Sequence, residues 1–351
     1  MRLLKLYYYR GAKPNFGDEL NTWLWPQIFP GLLGNNASDL FLGIGTILNE
    51  GVPDAYGKVV FGSGYGYGIP PLIDERWKFY CVRGPITAQA LGLEPSLAVC
   101  DPAILVNTLL KPARSRDMGV AFMPHFTSAA IGHWQEVCDA AGVRYLDPCA
   151  DVEETLDTIR RSTLVISEAM HGVIVADALR TPWIAVEPLL AMHRPKWQDW
   201  CLSLDMEYRP SALVSSSLRE HVQARYRHFR ANVWHAVTKR KPVQALASSK
   251  PSALAVRGDV RSLASFRSKL VRTVENCIEG PLASAGMFVL RPEIERRLDR
   301  WLIREAAAHL SALVHAPSSL SGDAAMARAT ERLLDRAEML RRDRHIMLVE
   351  A

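Results

Sequence analysis

The sequence predicts an α/β protein: two doubly wound, parallel-sheet domains facing one cleft, followed by a C-terminal helical extension. Three observations carry this. Short apolar runs alternate with helical patterns through the first half and restart near residue 118. Such runs separated by helices mark buried parallel strands. After about residue 240 the pattern changes to longer amphipathic periods. Finally, 351 residues exceed one ordinary core and suit two domains with an appendage.

The elements follow in order. Leu3 to Tyr9 reads as a strand. Asp18 to Ile28 reads as a helix, with Asn15 or Asp18 as cap and Pro30 closing it. Leu40–Ile44, Lys58–Phe61, Phe79–Val82 and Leu97–Cys100 read as strands, with a helix from Gly84-Pro85 through Ala90. Beyond a boundary placed at 108–117, Met118–Phe122, Arg144–Leu146, Thr163–Ile166 and Trp183–Val186 read as strands. Ile131–Ala141, Val152–Arg160 and His171–Leu179 read as helices. Ala247–Ser252 reads as a linker. Residues 260–280 and 292–345 read as amphipathic helices with a break at Pro317–Gly322. The expected units are a Rossmann-like domain over 1–112, a second over 113–240, and a helical extension over 253–351.

Composition narrows the class. Apolar residues make up 48% and charged residues 23%, as in a globular chain. No run of about 18 apolar residues predicts a membrane span. The start lacks a secretory pattern, so the expected location is the cytoplasm. Six scattered cysteines include no CxxC pair and read as reduced core thiols; no metal site is expected. From Arg219 to Arg272, thirteen basic residues face two acids, although the whole chain is only +5. This stretch suits an anionic membrane surface, or a solvated helix face. No nucleic-acid partner is expected.

Ligands of open parallel sheets bind beyond the carboxyl ends of strands. The polar and glycine-rich segments fall there: Asn15–Asp18, Gly43–Thr46, Gly62–Gly68, Arg83-Gly84, Asp101, His125 and Ser167–His171. Gly62–Gly68 reads as an anion cradle or a plain turn, since its spacing is not GxGxxG. Ser167–Gly172 joins a strand end to a helix start, which attracts phosphate or carboxylate. His171 there suits proton transfer near neutral pH, or merely packs. Arg194 and Lys196 suit an anion clamp. Trp197 and Trp200 suit a sugar-stacking face, or core anchors.

Read together, Asn15-Phe-Gly-Asp18, Gly43-Ile-Gly45, Phe61-Gly-Ser-Gly64, Arg83–Thr87, Asp101-Pro-Ala103, Ser167–His171 and Pro182–Val186 resemble the polysaccharide pyruvyltransferase family. The likeness covers roughly residues 1–205 and is nearest to the ketal-pyruvyltransferases of the xanthan and succinoglycan kind. It implies a GT-B-like pair of domains. It also implies transfer of pyruvyl from phosphoenolpyruvate to a hexose of an exopolysaccharide precursor, forming a ketal and releasing phosphate without cofactor or metal. The acceptor expected is a lipid-linked oligosaccharide at the inner face of the membrane. One departure stands out: Ala169 occupies the position where the family often has arginine, as Ser-x-Arg-Leu-His.

On that resemblance His171 is the acid/base, and Asp18 or Glu168 takes hydroxyl protons. Arg83, His125, Arg194 and Lys196 hold the donor. Asn15, Gly17, Ser63, Gly64 and Ser167 complete the binding surface. Two other readings compete. A GT-B glycosyltransferase using a nucleotide sugar would place an acid such as Glu187 near the ribose. A non-catalytic subunit of polysaccharide assembly would fit Ala169, against the joint presence of Asn15, Asp18, Arg83 and His171.

Overall fold

The computed structural model describes residues 3–11, 13–188, 194–223 and 292–344. Strand β1 (Leu4–Tyr7) leads into helix α1 (Phe16–Ile28). Then come β2 (Asp39–Leu42), β3 (Gly57–Phe61), β4 (Trp77–Cys81) and α2 (Pro85–Ala90). A 3-10 turn at Pro102–Leu105 and α3 (Val106–Leu109) end this half. The four strands form a parallel sheet in the order β1-β2-β3-β4.

The second half runs β5 (Val120–Met123), α4 (Phe126–Ala129), α5 (Trp134–Ala141), β6 (Arg144–Tyr145), α6 (Val152–Arg161) and β7 (Leu164–Ser167). It continues through α7 (Met170–Ala178), β8 (Trp183–Pro188), α8 (Arg194–Ser203) and β9 (Ser211–Leu213). Its parallel sheet has the order β6-β5-β7-β8-β9. Two further helices, α9 (Pro292–Leu313) and α10 (Asp323–Asp343), form a C-terminal helical region.

The second sheet reverses its winding at its first strand, and a single bridge extends the first sheet beyond β1. In the second sheet β6 and β7 flank β5. In the first, a parallel bridge from Leu4 to Leu33 sets the chain after α1 on the edge of β1 opposite β2. The Leu4 N–H donates to Leu32 O and the Gly34 N–H to Leu4 O, both at 2.9 Å. A reversal of this kind opens a crevice at the carboxyl ends of the flanking strands. Those ends carry Asn15–Asp18 and Gly43–Thr46 in the first half, and His125 and Ser167–His171 in the second.

One buried apolar cluster runs through both halves. It joins Phe16, Trp25 and Phe61 to Val165, Ile174 and Trp183, and to Leu333 of α10. α7 lies within it. Val173 to Ala176 are apolar all round, so the helix has no polar face to turn to water, and all its residues except His171 are buried. At roughly 1.5–3 kcal/mol per large side chain, this burial holds the start of α7 firmly.

The C-terminal helices return to the two sheets. α9 packs on α5, and Leu310 and Leu313 share a core with Phe122 and Ile166. α10 packs on β4 and on the Pro102–Leu105 turn. There Arg344 pairs with buried Asp39 at 2.8 Å, and Arg341 donates to Ile28 O at 2.6 Å.

Some expectations change. Leu97–Cys100 is not a strand. A 3-10 turn at Pro95–Leu97 and the turn at Pro102 leave only four residues between them, which make a single bridge from Val82 to Ala98. α1 starts at Phe16 and holds Pro26 within it, so Pro30 stands beyond its end. The expected linker, the helix over 260–280, Cys277 and most of the basic stretch Arg219–Arg272 lie outside the described residues. Cys81, Cys100, Cys138 and Cys201 are buried free thiols. Among the described residues no helix is long and apolar enough to cross a membrane.

Candidate active site

The N-termini of α1 and α7 meet face to face. α1 starts where it does because Asn15 caps it: its Oδ1 accepts the Asp18 N–H at 3.2 Å and its Nδ2 donates to Asp18 Oδ2 at 2.6 Å. Buried Asn21, one turn on, holds the glycine turn after β2. Its Oδ1 accepts the Ile44 N–H at 2.9 Å and its Nδ2 donates to Ile44 O at 3.1 Å. Within that turn Gly45 sits at φ +130, backbone that only glycine adopts readily. Gly17 lies flush on His171, so that a Cβ there would overlap the imidazole ring.

His171 is therefore wedged between α1 and the first turn after Cys100. Its side chain is 17% exposed, and Nε2 stands 3.7 Å from Oδ2 of the fully buried Asp101. Asp18 lies within the electrostatic reach of both His171 and Lys196. Burial pushes the Asp18 carboxyl above the ordinary carboxylate range. The Asn15 hydrogen bond, His171 and Lys196 pull the other way, and Glu19 adds to the rise. α7 has no acid in its first turn and no side-chain cap, so its positive end faces the site uncompensated from within. Asn15, Gly17, Asp18, His171 and Lys196 thus come together.

The other expected residues are engaged in hydrogen bonds or packing of their own. Arg83 is 1% exposed. It donates to Asp199 (3.1 Å), Thr46 Oγ1 (2.8 Å) and Tyr65 O (3.1 Å). Gly64 packs directly against its guanidinium, and Ser63 donates to Gly43 O at 2.5 Å. Asp199 in turn accepts the Ile86 and Thr87 N–H groups at the start of α2. These residues form a tie between the halves. Glu168 accepts from the His125 N–H (2.9 Å) and from Ser128 Oγ (3.0 Å), while His125 caps α4. Ser167 is fully buried and bonds to Met123 O and the Ala169 backbone. Arg194 makes paired bonds to Glu187, whose Oε1 also accepts from Tyr208 at 2.9 Å. Lys196 donates to Tyr67 OH at 2.9 Å. Trp197 and Trp200 are buried and anchor the core.

Asp101 has none of the catalytic or binding roles expected from the sequence. It was visible as a strand-end residue, but nothing in the sequence says that position 101 meets position 171.

Residues 2–188 match the model of a family described as polysaccharide pyruvyl transferase. The chain belongs to the polysaccharide pyruvyl transferase family. It is also 40% identical over 221 residues to the succinoglycan biosynthesis protein ExoV of Rhizobium meliloti (strain 1021), covering 62% of this chain and 70% of that protein. The family match contains the whole His171 group except Lys196, which lies in α8 beyond it. The chemistry of this transferase is the transfer of a pyruvyl unit to a polysaccharide.

Proposed function

We propose that this pyruvyl transferase takes its pyruvyl unit from phosphoenolpyruvate and installs it as a ketal on a hexose of an exopolysaccharide precursor. The observation that carries this reading is the meeting of His171 and Asp18 at two helix N-termini. The donor is a small enol phosphate that carries both a carboxylate and a phosphate group. Its C3 must gain a proton, which opens C2 to one sugar hydroxyl. A second hydroxyl of the same sugar then displaces phosphate from C2. Of the two hydroxyl protons released, one balances the proton on C3 and the other leaves with phosphate. His171 exchanges the C3 proton. Asp18, whose carboxyl burial holds above the ordinary carboxylate range, relays a hydroxyl proton. The α7 N-terminus and Lys196 receive the anionic groups, which offsets the missing cation at Ala169.

Two parallel sheets with facing carboxyl ends support a GT-B-like arrangement of Rossmann-like units. The nucleotide-sugar alternative loses its best residue, since both Glu187 oxygens already accept from Arg194 and Tyr208. A donor screen tests the reading. Phosphate release from phosphoenolpyruvate is expected with hexose-terminated oligosaccharides, and no turnover with nucleotide sugars. His171→Ala is expected to lower kcat by about 10²–10⁴-fold. Turnover of a nucleotide sugar, or near-wild-type transfer by His171→Ala, overturns it.

A further inference from the structure

The buried end of His171 points at a carboxylate left unsatisfied on that side. Asp101 opens the Pro102–Leu105 turn, and its Oδ1 accepts the Ala103 N–H at 3.0 Å. Its Oδ2 is buried without a hydrogen-bond partner, and so is Nε2 of His171. The two atoms lie 3.7 Å apart. Among the described residues no lysine or arginine pairs with Asp101. A buried carboxylate without a hydrogen-bonded cation costs several kcal/mol, so the fold maintains this group at a loss.

Both partners are rigidly placed. A Cβ at Gly62 would overlap the Pro102 ring, so the turn presses directly on the end of β3. A Cβ at Gly172 would come within 2.7 Å of Ser167 Oγ and 2.9 Å of Met123 Sδ, so α7 presses equally closely on β5 and β7. A movement of about 1 Å or less makes the hydrogen bond.

We propose that Asp101 is the positioning residue of His171. Its Oδ2 accepts the Nε2–H and so fixes the tautomer in which Nδ1, on the Gly17 side, exchanges the proton with substrate. It also stabilises the imidazolium formed when Nδ1 is protonated. This rests on the acid/base role of His171 proposed above.

Asp101→Asn tests it, because the amide oxygen can keep the Ala103 N–H bond while the acceptor facing His171 is lost. With phosphoenolpyruvate and the acceptor that supports turnover, kcat is expected to fall about 10²-fold or more, and KM for phosphoenolpyruvate to stay within about threefold. In a His171→Ala background the same change is expected to cost nothing further, because the two act as one unit. The imidazole ¹⁵N signature of His171 is expected to move away from the Nε2–H tautomer in the single variant. An unchanged kcat in Asp101→Asn beside an inactive His171→Ala removes the pairing alone. Equal fold-losses in both backgrounds also remove it, and this covers a general folding defect, which multiplies into each background alike. Full activity in His171→Ala removes the acid/base reading itself.

Discussion

Two acid–base pairs stand at the carboxyl ends of the strands, and they are built on opposite principles. Arg83 and Asp199 are 1% and 0% exposed at 3.1 Å, with Thr46, Tyr65, Ile86 and Thr87 taking up their remaining bonds. His171 and Asp101 lie 3.7 Å apart and leave one buried atom each without a hydrogen bond. A fully satisfied pair has no capacity left for a ligand, and so it fixes the relation of α8 to α2 and β4. An unsatisfied pair holds capacity in reserve for a proton in motion. Burial and charge alone do not separate the two; the hydrogen-bond accounting does.

The largest effect is expected where the satisfied pair is broken. Asp199→Ala strands the Arg83 guanidinium among buried groups and removes the cap on the Ile86 and Thr87 N–H groups. A loss of about 3–5 kcal/mol is expected in denaturant unfolding. Replacing both partners by apolar residues, as Arg83→Met with Asp199→Leu, is expected to restore much of that loss, since no charge is then left alone. If Asp199→Ala instead abolished turnover at unchanged stability, the knot would belong to the reaction and the contrast would fail.

A smaller and more selective effect is expected at Gly17. Ala is the better helix former by about 1 kcal/mol, which favours α1. The new methyl group overlaps the imidazole of His171 and drives it off its present place. Stability is expected to change by less than about 1 kcal/mol while kcat falls about 10–10²-fold, the scale set by a misplacement near 1 Å. Steady-state kinetics beside a thermal melt checks this. Wild-type kcat in Gly17→Ala would show that the site tolerates a loosely held histidine.

Much of this was legible along the chain. The alternation of apolar runs and helical periods placed most strands of both sheets. Asn15 announced the start of α1, and His171 stood where a strand ends and a helix begins. Other features were hidden for physical reasons. Arg83 and Arg194 have the residue type of anion clamps, and only their surroundings show that Asp199 and Glu187 already engage them. Glu168 reads as a free acid until the His125 loop closes over it. The bridge at Ala98 reads as a strand because Pro95 and Pro102 cut it short only through turn geometry. Asp101 and His171 are joined by packing across both sheets, a relation that no local pattern records.

A third buried acid sharpens the comparison, with the smallest expected effect. Glu220 accepts from Ser216 N–H (2.7 Å), Ser216 Oγ (2.9 Å) and Trp134 Nε1 (3.1 Å), but among the described residues it has no ion pair with a lysine or arginine. Burial, with the nearby Glu168 charge, pushes it up to about 8, and the hydrogen bonds from Ser216 and Trp134 only partly oppose this. The neutral form is thus favoured in the folded chain. Its stabilising contribution is complete below the unfolded value of about 4.5 and is lost as pH rises through about 8. Stability is therefore expected to fall between pH 5 and pH 8 on this account. Glu220→Gln is expected to flatten that slope, because an amide does not ionise. It costs about 1 kcal/mol at pH 5, where its N–H₂ must face a donor that the carboxyl group accommodates. Denaturant midpoints of both proteins across this range decide it. An unaltered slope in the variant would mean that three donors alone hold a buried carboxylate as well as Arg83 holds Asp199, and hydrogen-bond accounting would then matter more than the cation.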